Sequence, residues 1–237
     1  MITDYVAFDL ETTGLRPAAD RILEIGAVRV EEGVITGIYE TLVDHGLPIP
    51  EQITKLTGIT AEMTKGAPDI RSATEGFLKF AGDSVLLGHN VLFDYGFMKR
   101  SALNLGYTFE RSGLDTLMIA RKALPQLESR SLDKLAAWYQ IPEAHHHRAL
   151  DDALTTARLY ERLREEFASA LPALFEPMQL HAKVQKECPA TSSQKHYLRD
   201  LIKYHRINID AKIDLLTKNE ASRIIDGIIN QYGRIRN

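Results

Sequence analysis

Three runs rich in β-branched residues fall within the first 43 positions, and their spacing constrains how the chain can begin to fold. Residues 4–10 (DYVAFDL), Arg21–Val30 and Val34–Val43 each suit a strand, and only Glu31-Glu32-Gly33 separates the last two. So short a turn joins antiparallel neighbours, and the chain therefore opens as three antiparallel strands. Beyond Val43, helices and strands alternate. Ser72–Ala81 reads as a helix with Phe77, Leu78 and Phe80 inward, and Asp83–Gly88 as a short buried strand. Asn90 stands as the N-cap of a helix whose apolar residues Val91, Phe93, Phe97 and Met98 recur at helical spacing. Leu114-Asp115-Thr116 begins a further strand or helix, Ser131–Tyr139 is an N-capped helix, and Ala149–Ala170 is a long amphipathic one. Strands first, then alternating strand and helix, predict an α/β chain with a mixed sheet covered by helices.

The 237 residues are 44% hydrophobic and 26% charged, enough apolar material for a buried core. No run of about 18 apolar residues is present, and Met1-Ile2-Thr3-Asp4 lacks the basic flank and apolar stretch of an export signal. A cytoplasmic protein without a membrane span is expected. The single Cys188 excludes an internal disulfide and a multi-cysteine zinc site. A net charge of −3 taken alone argues against a strongly basic nucleic-acid binder, but that total hides a partition. Residues 1–178 hold 18 Lys+Arg against 26 Asp+Glu, or −8, while residues 179–237 hold 11 against 6, or +5.

Pro172, Pro177 and Pro189 cannot lie in one continuous helix, which puts a boundary between the two charge regions. The predicted organisation is a first domain over 1–171, a linker over 172–189 and a small basic helical hairpin over 190–237. In the hairpin, Thr191 caps a helix to about His205, and Thr217-Lys218-Asn219-Glu220 opens a second with capping-box spacing. Lys195, His196, Arg199, Lys203, His205 and Arg206, with Tyr197 and Tyr204 interleaved, read either as a nucleic-acid handle or as a solvated face.

Three acidic clusters carry the candidate chemistry. Asp9 and Glu11 stand two residues apart at the end of the first strand, and a period of 2 points both to one side of the sheet. They are either a solvated strand end or a repelling pair that needs a hard cation between them, with oxygen ligands of the kind Mg²⁺ takes. In Gly88-His89-Asn90-Val91-Leu92-Phe93-Asp94, Asn90 and Asp94 share a helix face, where Asp94 is either a third site acid or a surface charge that complements the helix dipole. In His145-His146-His147-Arg148-Ala149-Leu150-Asp151-Asp152, positions five apart differ by about 140° on a helix. His147 can therefore join Asp152 only from the loop before the helix. The other readings are a flexible surface histidine run and a favourable acidic first turn.

Taken together and in order, Asp-x-Glu, His-Asn-x-x-Phe-Asp and His-x-Ala-x-x-Asp resemble the three motifs of the DEDDh 3′→5′ exonucleases. That family includes the proofreading subunit of bacterial DNA polymerase III and ribonuclease T. Glu24-Ile-Gly-Ala-Val, Leu56-Thr-Gly-Ile-Thr, Asp115-Thr and Ser131-Leu-Asp-Lys-Leu support the resemblance, which spans residues 1 to about 168. It implies a ribonuclease H-like five-stranded mixed sheet with flanking helices, beside the small C-terminal helical module. It further implies that Asp9, Glu11, Asp94 and Asp152 hold two divalent cations, Mg²⁺ or alternatively Mn²⁺, with Asp9 bridging, and that His147 is the general base. Thr12, Thr13, Gly14 and Leu15 would hold the terminal nucleotide, Phe93 would pack near the last bases, and Asn90 would support the site.

The expected activity is hydrolysis at a single-stranded DNA 3′ end to release nucleoside monophosphates in proofreading or repair, with a DNA polymerase subunit as candidate partner. The alternatives are a 3′→5′ exoribonuclease, whose active-site residues would be nearly the same, and a catalytically inactive nucleic-acid-binding module. A kinase of related fold is disfavoured because no GxxxxGK[ST] loop is present.

Overall fold

A computed structural model of the protein describes residues 2–142, 147–209 and 211–235. The chain divides into two compact units, one of residues 1–45 and 50–184 and one of residues 46–49 and 185–237.

The first unit runs β1 Tyr5–Thr12, β2 Ile22–Glu31, β3 Val34–Leu42, α1 Glu51–Thr57, α2 Ala61–Thr64, α3 Ile70–Ala81, β4 Val85–Gly88, α4 Val91–Leu105, β5 Ser112–Asp115, α5 Thr116–Ala123, α6 Leu132–Trp138, α7 Ala149–Phe167 and β6 Met178–Gln179. Its sheet has the order β3-β2-β1-β4-β5-β6. The opening β1-β2-β3 meander is antiparallel, β1, β4 and β5 are mutually parallel, and β6 closes the far edge antiparallel to β5. Alternation along β1 divides the core. Tyr5 and Ala7 face a cluster built with α5, α6 and α7, whereas Val6, Phe8 and Leu10 face one built with α3 and α4. Asp9 and Glu11 continue the odd-numbered series, so the acids point toward the face that α7 covers.

Three expectations for this unit need correction. The sheet has six strands and not five, and the sixth comes from inside the predicted linker. Phe175 and Leu180 are buried, and β6 pairs with β5, so residues 172–184 belong to the first unit. The long helix ends at Phe167, before Pro172, the first of the boundary prolines, and the chain beyond it stays packed on the first unit. Asn90, expected as a side-chain N-cap, instead takes a left-handed backbone (φ 69°, ψ 46°) and makes no capping hydrogen bond.

In the second unit, α8 Ser192–His205 and α9 Lys218–Tyr232 pack through Leu198, Leu201, Ala221, Ile225 and Ile228. Both begin with a capping box, expected for Thr217 with Glu220 and found also for Thr191 with Gln194, where a simple cap was expected. They do not form a hairpin. Gln194 Nε2 donates to Lys218 O (3.0 Å) at their N-terminal ends, and His205 Nε2 lies 3.0 Å from Gly233 O at their C-terminal ends, so the helices run parallel. The basic face is also partly neutralised, because Lys195 and Arg199 both reach Asp214, and His196 lies 3.4 Å from Asp200.

Candidate active site

The carboxyl ends of the three parallel strands lie side by side, the edge at which open α/β sheets bind ligands. β1 brings Asp9 and Glu11 there, and β4 ends at Gly88 and turns directly into α4, which carries Asp94. The turn demands a glycine, since a Cβ at Gly88 would lie 2.9 Å from the Cα of Val91. Asp94 is buried, and its Oδ1 accepts the Leu10 N–H at 3.1 Å, which ties the start of α4 to β1 between the two strand acids. β5 contributes from behind. Asp115 accepts the N–H of Asn90 and of Leu117, both at 2.9 Å, and His89 spans Thr116 Oγ1 and Arg130 O.

The fourth acid arrives on α7. Its seat on the sheet is Gly26, which pairs in register with Asp9, and a Cβ there would stand 2.1 Å from Leu150 N and 2.2 Å from the Ala149 carbonyl carbon. Helix backbone rests directly on strand backbone. The close approach brings Asp152 toward Glu11, and His147 joins them from the turn before the helix, with φ 60° and an exposed side chain. Glu11, His147 and Asp152 each offer one ligand atom, all within 4.8 Å of one another, a group able to hold a metal ion. His147 thus reaches Asp152 from the loop, as its five-residue spacing requires. His145 and His146 of the histidine run lie outside the described residues.

Crowded acids resist ionisation here. Burial, then the charges of Asp94, Asp152 and Glu11, push the Asp9 carboxyl well above the usual carboxylate range. Glu11 is pushed up to about 8, chiefly by burial, next by Asp152 and Glu24, with Arg148 opposing. Burial also raises Asp94, against the backbone N–H groups that favour its ionised form.

Glu24 is the site residue that the motifs did not single out. It lies in β2 in register with Glu11, is fully buried, and takes Arg148 Nε on both oxygens at 3.1 Å while its Oε2 accepts the Ala149 N–H at 3.0 Å. Its place in Glu24-Ile-Gly-Ala-Val was visible, but its partner is 124 residues away and nothing local predicts the pair.

The expected substrate-side residues form a braced loop. Thr12 Oγ1 donates to Gly14 O (2.7 Å), Thr13 and Arg21 exchange hydrogen bonds at 2.8 Å, and buried Arg100 holds Ala18 O at 2.9 Å. Gly14 packs against the Asp20 carboxyl, and Leu15 is left 81% exposed. Phe93 is half-buried against Phe97, with ring centroids 5.2 Å apart, so it belongs at least partly to the core.

Residues 6–160 match the family described as Exonuclease (RNase_T). The DNA polymerase III PolC-type of Caldanaerobacter subterraneus subsp. tengcongensis is 43% identical over 163 residues, 69% of this chain but 12% of that protein. The DNA polymerase III subunit epsilon of Aquifex aeolicus is 40% identical over 163 residues, 68% of this chain and 81% of its own. Among solved structures, exonuclease X in complex with 5′-overhanging duplex DNA has 27% identity and a TM-score of 0.57 over 69% of this chain and 93% of that one. E. coli exonuclease I with a dA16 oligonucleotide, at 18% identity and a TM-score of 0.65 over 73% of this chain and 43% of that one, shares the fold. By its sequence match over 6–160, the chain belongs to the exonuclease family.

Proposed function

We infer that this protein is a metal-dependent 3′→5′ exonuclease that hydrolyses the terminal phosphodiester of a DNA strand and releases nucleoside monophosphates. The observation that carries the reading is the convergence of Glu11, His147 and Asp152 within 4.8 Å, beside Asp9 on β1 and Asp94 on α4. The donor set fits hard divalent cations. Oxygen ligands predominate, and mutually repelling, partly protonated carboxylates are what such a cluster becomes without a counter-cation. Asp9, Glu11, Asp94 and Asp152 would hold two Mg²⁺ or Mn²⁺ ions. When bound, such ions supply an activated nucleophile and offset charge on the attacking and leaving oxygens.

The chain's own residues do the rest. His147, exposed at the edge of the acid cluster, takes the proton from the attacking water at a ring nitrogen. The braced loop Thr12-Thr13-Gly14-Leu15 holds the terminal nucleotide, and the exposed Leu15 offers an apolar face to a base. Asn90 supports the turn that delivers Asp94, and Phe93 packs beside the last bases. DNA is favoured over RNA because the relatives matched are DNA polymerase III chains and exonuclease X is bound to DNA. The same relatives support a proofreading or repair role in the cytoplasm with a polymerase subunit as partner.

The test is digestion of 3′-labelled single-stranded DNA, duplex DNA and RNA with Mg²⁺ or Mn²⁺, beside Asp9→Ala and His147→Ala. The parent should release mononucleotides from DNA 3′ ends, and loss of the base should slow the reaction by about 10² to 10⁴-fold. No release from any substrate would overturn the reading, and a fully active Asp9→Ala would overturn the metal assignment.

A further inference from the structure

Glu24 poses a physical puzzle. Placing a fully buried carboxylate in register with Glu11 adds negative charge to a cluster that already repels itself, and a buried ion pair contributes little net stability against an apolar alternative. Nor are its oxygens disposed for a metal. Both are engaged by Arg148, one also takes the Ala149 N–H, and Glu24 is not part of the Glu11, His147, Asp152 group. What Glu24 does hold is the chain on either side of the Arg148–Ala149 peptide, the two residues that come directly after His147.

That grip replaces devices the helix otherwise lacks. Arg148, at the N-cap position of α7, makes no side-chain capping bond, so the buried Glu24 carboxylate, from a neighbouring strand, satisfies a first-turn N–H and places negative charge at the positive end of the helix. His147 has φ 60°, a left-handed backbone that a non-glycine residue keeps only when its surroundings impose it. The planar guanidinium of Arg148, forked onto Glu24 from the adjacent residue, is such a constraint, and it also lies 3.6 Å from Glu40 on β3.

We propose that Glu24 is a positioning residue for His147: through its forked pair with Arg148 and its bond to the Ala149 N–H, it fixes the backbone from which the imidazole projects toward Glu11 and Asp152. This rests on the exonuclease reading, in which His147 is the general base. Asp152 is carried by α7, which also rests on β2 through the backbone contact of Gly26 with Ala149 and Leu150, so metal affinity should be largely independent of the pair.

A kinetic cycle on the full chain separates these roles, with a 3′-labelled oligonucleotide and the variants Glu24→Gln, His147→Ala and both together. Glu24→Gln should lower kcat by about 10 to 100-fold, the range for lost outer-shell partners. KM for DNA and the Mg²⁺ concentration at half-maximal rate should stay within about twofold of the parent. In the His147→Ala background the same change should cost little more, because residues that act through one group are not additive. Full kcat in Glu24→Gln, a multiplicative loss in the double variant, or a shifted Mg²⁺ requirement would each overturn the proposal. If Glu24→Gln does not fold, Arg148→Lys keeps the charge but loses the fork and must show the same pattern. Failure of the exonuclease reading would look different, since the parent itself would then release no nucleotide.

Discussion

Substituting Gly26 by alanine should damage stability and catalysis together, and the contact geometry sets the size of both effects. The added Cβ would fall 2.1 Å from Leu150 N, 2.2 Å from the Ala149 carbonyl carbon and 2.5 Å from its oxygen. These are backbone atoms, which cannot rotate out of the way. Ordinary contact begins near 3.4 Å, so α7 must retreat from β2 by about 1.3 Å. The Ala149 N–H to Glu24 bond, now 3.0 Å, would then stretch past useful length. Overpacking costs about 1–3 kcal/mol, and a lost bond to a charged acceptor about 1.5–3 kcal/mol. Together they make about 3–6 kcal/mol, a large share of a domain's stability. At about 2–4 °C per kcal/mol for a unit of this size, the midpoint of thermal unfolding should fall by roughly 6–24 °C. A 1 Å misplacement of reacting groups costs on the order of 10²-fold in rate, so nucleotide release by whatever remains folded should drop by about that much. Differential scanning calorimetry and the 3′-end digestion assay measure the two effects. Gly227→Ala on α9, where a Cβ meets nothing within 4 Å, is the control and should be neutral or slightly stabilising. An unchanged midpoint and rate in Gly26→Ala would refute the idea that backbone-to-backbone contact seats α7.

The raised Glu11 carboxyl gives a pH prediction with a definite sign. Its folded-state value of about 8 exceeds the ordinary 4.5, so its contribution to stability is present below about pH 4.5 and is lost as pH rises toward 8. In chelator the thermal midpoint should therefore fall between pH 5 and 8, and millimolar Mg²⁺ should reverse much of that fall, because a bound cation favours the ionised acids. A flat profile would refute the coupling. Asp94→Asn should abolish most activity while leaving the fold, since an amide oxygen can still accept the Leu10 N–H; circular dichroism beside the digestion assay checks both. Thr217→Ala removes the buried cap of α9 and should destabilise the second unit by about 1–2 kcal/mol, seen as faster amide hydrogen exchange there.

The parts of this fold legible in the sequence are those whose signal is local. Period-2 alternation marks the β-meander and the shared side of Asp9 and Glu11, and the caps at Thr191 and Thr217 mark where α8 and α9 begin. What stayed hidden is set by tertiary pairing. A two-residue strand such as β6 has no periodicity to detect, and only its register with Ser112 and Gly113 makes it a strand. The parallel course of α8 and α9 is decided by the crossover between them, which looks in sequence like any loop. Asn90 shows a rule outweighed by context: the turn from Gly88 needs a left-handed residue there, which asparagine tolerates, and that conformation gives up the cap. At the candidate site, the residues seen to converge, Glu11, His147 and Asp152, were legible and their support was not, because Glu24 and Arg148 meet only when β2 and α7 pack.

Charge shows why that support matters. Asp9, Glu11, Glu24, Asp94 and Asp152 bring five carboxylates to one sheet edge, and the cation seen among them is Arg148, whose fork is committed to Glu24. The other four crowd one another, and the raised proton affinities of Asp9, Glu11 and Asp94 register the burial and the repulsion. A polyanionic strand would not approach such a surface unaided. Under the proposed function, divalent cations held by these acids would change the sign of the site and let the strand approach. Glu24 cannot join that exchange while Arg148 and Ala149 occupy its oxygens. The pair therefore sets Glu24 apart from the other four acids and commits it to the backbone beside His147. A net charge of −3 is therefore no bar to a nucleic-acid substrate, because sign is decided locally, by which carboxylates a cation can reach.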